Sequence, residues 1–184
     1  MAPNEALLGD ESVLAARARR AYELGRMRWS LRFAPAVAAA FVAAVACGRP
    51  LDLCAALAAA ALLVAVGLSF AGGDAGRAVA PGLVAGSFAL VLPLAVRTIG
   101  HLCLGEACMS LCMPSCVIGG ALAGGFLALR AARDERGGVF LVSAVAIAGL
   151  TGSLGCTLAG MAGVCGMLAG VLVAGTPVLL AARR

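Results

Sequence analysis

The chain has 184 residues, 62% of them hydrophobic and 12% charged, and a mean hydropathy of +1.04, whereas a globular domain is about a quarter charged. That composition excludes a soluble domain with one buried core and predicts an all-α membrane protein, a six-transmembrane-helix bundle. The formal net charge of +5 is carried by arginines that flank apolar runs. Such arginines meet lipid headgroups, so no direct nucleic-acid partner is expected.

Residues 1–32 are polar and arginine-rich, so no early cleavable signal peptide is expected. Asp10-Glu11-Ser12 reads as a helix start, and Val13 to Trp29 continues it. Leu14, Ala18, Ala21, Tyr22, Gly25 and Trp29 fall on one face at helical spacing, while Val13, Leu24 and Met27 lie on the other side. The first face makes Leu14, Ala18, Ala21 and Tyr22 the candidate partner-binding residues of a cytoplasmic segment. Arg26, Arg28 and Arg32 stand just before the first span, with Trp29 as an interfacial anchor.

Residues 33–184 form the membrane domain. Spans are predicted at 33–49, 52–71, 78–97, 114–130, 138–155 and 164–182, each near the ~20 residues that a bilayer requires. Pro35, Pro81 and Pro114 stand near span starts, where a missing N–H costs little. Pro93 and Pro177 lie nearer span ends. Gly82/Gly86, Gly120/Gly124 and Gly166/Gly170 repeat at four-residue spacing, which lets helix backbones approach closely. No ionisable residue falls well inside a span, which argues against an ion pump or proton relay. With no C-x-x-C, no glycine-rich nucleotide loop and no paired intramembrane carboxylates, neither an enzyme nor a bound cofactor is expected.

All the basic residues are arginines, and six spans put both termini on one side. With the termini inside, Arg49 and Arg97 alone of these fourteen face outward. That bias predicts an N-in/C-in orientation. The same orientation sends all eight cysteines outward. Cys47 and Cys54 flank the first outer turn, Cys103, Cys108, Cys112 and Cys116 fill the 97–116 connection, and Cys156 and Cys165 bracket the third. In a bacterial envelope that side is oxidising, so these read as disulfides or redox-active thiols.

Cys47 and Cys54 each sit about one turn from a hairpin tip and are placed to meet. Cys108, Cys112 and Cys116 repeat at i, i+4 and i+8. Helical neighbours at that spacing are ~5–6 Å apart at Cβ, beyond the ~3.5–4.5 Å of a disulfide. These three therefore pair elsewhere or lie in a non-helical loop. Pro114 favours a helix beginning there, with Cys116 in its first turn and Cys112 just before it. His101, Met109 and Met113 add soft ligands to this loop, but the cysteine spacings contain no C-x2-C pair, and no metal site is assigned.

Leu111-Cys112-Met113-Pro114 leads into a span ending Leu129-Arg130, and a glycine-rich fifth span ends at Gly155-Cys156. In these features, and in its topology, the chain resembles the NrsF-type anti-sigma factors, six-span bacterial inner-membrane proteins with a short cytoplasmic N-terminus. The resemblance implies a sigma factor as partner and makes Cys112 and Cys156 the redox or disulfide sensing pair. The family's second cysteine typically sits in a Cys-Pro-Glu-Asp stretch, whereas here Cys156 is followed by Thr-Leu-Ala, and six further outer cysteines are present.

The resulting expectation is an inner-membrane negative regulator. Residues 1–32 would sequester a sigma factor, and outer cysteines would sense oxidants or thiophilic metals. The alternative is a soft-metal transport or metal-handling membrane protein. It predicts ligands within the spans and on the inner side, and the sequence has none.

Overall fold

The computed structural model describes residues 3–46, 50–99, 107–133, 137–156 and 160–182, with side chains over 13–46, 50–96, 114–133, 137–156 and 162–181. Among these residues all regular structure is helical. Helix α1 (Pro3–Ser30) runs through a 3-10 turn at Leu31–Phe33 into α2 (Ala34–Ala46). Then follow α3 (Leu51–Ala71), the short α4 (Gly73–Arg77), α5 (Val79–Ile99), α6 (Ala107–Arg133), α7 (Gly138–Cys156) and α8 (Gly160–Ala182). Six helical stretches are long and apolar enough to cross a membrane, the first being the combined Val13–Ala46.

Two starts differ from expectation. α1 begins at Pro3 rather than near Asp10, and α6 begins at Ala107, so Pro114 lies inside a helix instead of opening one. A proline withholds its N–H from the carbonyl four residues back, here that of Ser110, and its ring crowds that carbonyl, yet α6 runs through it. The flanking Ala107 to Met113 contains good helix formers that continue regardless. Cys108, Cys112 and Cys116 therefore share one helix rather than a non-helical loop, at a spacing that does not let helical neighbours bond to one another, and Cys116 is a free thiol.

Backbone proximity sets the packing. The closest helix pairs are α6 with α8 and α5 with α7. A Cβ on Gly120 or Gly124 would collide with the carbonyls of Met167 or Val171, and one on Gly170 with that of Val117. On α5, a Cβ at Gly82 would come within 2.8 Å of the Ala144 carbonyl, and one at Gly86 within 2.7 Å of Thr151 Cβ. These are the contacts that small residues permit where lipid gives no hydrophobic drive. α2 and α3 are held more loosely, mainly by Phe33, Val37, Ala61 and Ala65 packing on Val79, Leu83 and Ile147.

The bundle has two chemically distinct ends. Arg26, Arg28 and Arg32 precede α2, Arg77 precedes α5, and Arg130 and Arg133 close α6, all at one end. There Gly72 and Gly73, at φ +74° and +57°, turn the chain out of α3. At the other end lie the first turn of α3 with Cys54, the membrane start of α6 with Cys116, the end of α7 with Cys156, and the start of α8 with Cys165.

Candidate thiol site

At the cysteine end three helices bring sulfur together. Cys116 of α6 and Cys156 of α7 are both fully buried and pack in one cluster. Met167 of α8, 2% exposed, joins them in one cluster with Ala89 of α5. Both thiols are free.

Local sequence explains the meeting. Cys116 stands one turn from Gly120, where the α8 backbone approaches at Met167. Cys156 stands one turn from Gly152, whose missing Cβ leaves room for Met167 Sδ and Ala89 Cβ. Gly155 lets α7 close onto the backbone at Leu90. The Cys156 thiol also donates to the Ala89 carbonyl at 3.6 Å. In an uninterrupted helix that carbonyl would accept from residue 93, but Pro93 has no N–H to give. A proline in the third span thus creates the acceptor that holds a thiol of the fifth. Among the described residues no charged side chain is buried at this site.

Of the other candidates, Cys54 is buried in an adjoining cluster with Ala40, Ala44, Leu90 and Leu154. Leu90 follows Ala89, and Leu154 lies two residues before Cys156, so this cluster joins the thiol site to α2 and α3. Cys165 is exposed. Cys47, Cys103 and His101 lie outside the described residues, as do the side chains of Cys108, Cys112, Met109 and Met113. The described side chain that meets Cys156 is thus Cys116, one turn along α6 from the Cys112 singled out by resemblance. Met167 and the Ala89 carbonyl were not candidates from sequence. Pro93 was the available signal for an open carbonyl, and the Gly166/Gly170 spacing marked α8 as a packing helix.

The candidate partner-binding residues are at the far end. Leu14, Ala18, Ala21 and Tyr22 are exposed, and so is every residue from Val13 to Gly25, so this part of α1 stands clear of the bundle. Arg19 and Glu23 pair along the helix at 3.3 Å. The helix is attached by Arg26, whose guanidinium donates to the Phe70 carbonyl and lies 4.7 Å from the Phe70 ring centroid and 6.0 Å from that of Tyr22. Arg32 stacks over Trp29 at 3.6 Å. Among the described residues no group of three His, Cys, Asp or Glu side chains gathers to hold a metal ion. Comparison with family models, curated proteins and solved structures found no match.

Proposed function

We propose that the chain is a multi-pass regulator of the bacterial inner membrane, with both termini in the cytoplasm. In this reading α1 holds a sigma factor at the membrane, and the outer thiols report oxidants or thiophilic metals. The observation that carries it is the buried contact between the free thiols of Cys116 and Cys156, which join two separate spans at one end of the bundle.

Oxidation of that pair breaks two S–H bonds and forms one S–S bond, with two protons and two electrons passing to the oxidant. The new bond ties α6 to α7 at their outer ends. Leu154 of α7 and Leu90 of α5 pack against Ala40, Ala44 and Cys54, so a shift of α7 bears on the loosely packed α2–α3 hairpin. α2 runs back through the 3-10 turn into α1. A bundle with two arrangements a few kcal/mol apart is enough to carry a signal along that route. The arginine asymmetry supports the cytoplasmic placement of α1.

The test is capture of sigma factors from a cytoplasmic extract by membranes carrying the full chain or a chain lacking residues 2–25. The full chain should retain a sigma factor and release it after treatment with a thiol oxidant, and the truncated chain should retain none. Equal capture by both chains, or capture indifferent to oxidant, would overturn the reading.

A further inference from the structure

We infer that Cys116, Cys156 and Met167 form a binding site for one soft monovalent cation, Cu(I) in chemical class, for which Ag(I) is the redox-inert probe. The inference deepens the sensor reading, and its regulatory use rests on that reading.

Ligand softness comes first. Two thiols and a thioether from three different helices meet in one buried cluster whose other members are apolar. Thiolate and thioether sulfur favour Cu(I), whereas carboxylate, carbonyl and water favour hard cations. Zinc takes four ligands, usually Cys and His, and no third Cys, His, Asp or Glu side chain gathers here among the described residues.

Charge decides between one positive charge and two. Among the described residues no carboxylate is buried beside these sulfurs, and an uncompensated charge in an apolar interior is expensive. One thiolate neutralises a monovalent cation; a divalent one would need both. The two thiols are not equivalent, because Cys156 already donates to the Ala89 carbonyl that Pro93 leaves open. Cys116 is therefore the group that gives up its proton. Its S–H bond breaks, a sulfur–metal bond forms, and one proton leaves to buffer, with no electron transferred. Met167 supplies the neutral second ligand, and Cys156 closes the site as a thiol.

The experiment uses the full-length reduced protein in detergent, titrated with Cu(I) against a chromophoric Cu(I) chelator, with proton release recorded. Cys116→Ser should abolish one bound equivalent and the single proton that accompanies it. Met167→Leu keeps the side-chain volume and should weaken that equivalent about 10- to 100-fold, as loss of a supporting ligand does elsewhere. Cys165→Ser, at an exposed thiol, should change nothing at this site. Circular dichroism checks that each variant is folded, and should Cys116→Ser unfold, Met167→Leu decides alone. Wild-type binding by Met167→Leu, or two protons released per cation, would overturn the inference. Loss of sigma-factor capture on oxidation without cation binding would remove the metal site and leave the regulator. A bound cation with capture indifferent to both metal and oxidant would remove the regulator and leave the site.

Discussion

The thiol of Cys156 donates to the carbonyl of Ala89 at 3.6 Å, across two spans and onto an acceptor that the intervening helical ladder would otherwise occupy. Pro93 keeps that acceptor open. Pro93→Ala supplies an N–H in register with Ala89 and so competes with the thiol. The S–H stretching band assigned to Cys156, by infrared difference against Cys156→Ser, should move toward the position of a free thiol. An unmoved band would mean that Pro93 does not control this contact. The substitution should not weaken α5, since interior proline costs a helix about 3 kcal/mol relative to alanine.

Arg26 fixes α1 in a comparable way at the opposite end. Its guanidinium donates to the Phe70 carbonyl near the end of α3 and lies between Tyr22 and Phe70, while Val13 to Gly25 before it are exposed. Cation–π and charge-assisted hydrogen bonding at a half-exposed site together contribute about 1–2 kcal/mol. Arg26→Ala should therefore broaden the distance distribution between spin labels at positions 18 and 74. Arg26→Lys retains charge but loses the planar stack and the fork of donors, and should fall between the two. An unchanged distribution in Arg26→Ala would show that α1 is held by something else.

The spans were legible because apolar length and arginine position are local properties of the sequence. The close approach at Gly120 and Gly124 was legible as well, since four-residue spacing on one face is visible without knowing the partner. What could not be read was rotation. Whether Cys112 or Cys116 faces α7 depends on how α6 is turned by its contacts with α5 and α8, which are set by residues far away in sequence such as Ala89 and Met167. The start of α6 is hidden for a different reason: Pro114 reads as a helix boundary, yet the neighbouring turns carry the helix through it. The Ala89 carbonyl was hidden because its chemistry is backbone chemistry, signalled only by a proline four residues on.

The glycine contacts make a graded prediction for the α6–α8 pair. A methyl group at Gly120 or Gly124 meets backbone, which cannot swing away, whereas at Gly166 it meets only Val117 Cγ2 at 3.2 Å. Overpacking of this kind typically costs about 1–3 kcal/mol. Gly120→Ala and Gly124→Ala should each lower the unfolding midpoint in mixed micelles, read by circular dichroism, and Gly166→Ala should do so much less. Equal losses at all three positions would mean that the cost is general to the helix and not specific to this contact.

The last prediction separates two cysteines one turn apart. Resemblance points to Cys112, and the buried contact points to Cys116. Only one of them can be the thiol that bonds to Cys156 in a given molecule, since a disulfide allows ~3.5–4.5 Å between Cβ atoms and one helical turn moves a side chain by about 5.4 Å. A disulfide contributes about 2–4 kcal/mol, and each ~1.4 kcal/mol shifts a population ratio tenfold, so one bond is enough to move the bundle between two arrangements. Oxidation of the wild-type chain followed by proteolysis and mass spectrometry should yield a Cys116–Cys156 cross-linked peptide. Cys116→Ser and Cys156→Ser should each abolish both the cross-link and oxidant-dependent release of the captured partner, and the double variant should be no worse than either. Cys112→Ser should keep both, as should Cys54→Ser apart from a loss of stability at its buried position. A cross-link and a response that survive in Cys116→Ser but vanish in Cys112→Ser would transfer the sensor to Cys112 and show that α6 turns before it reacts.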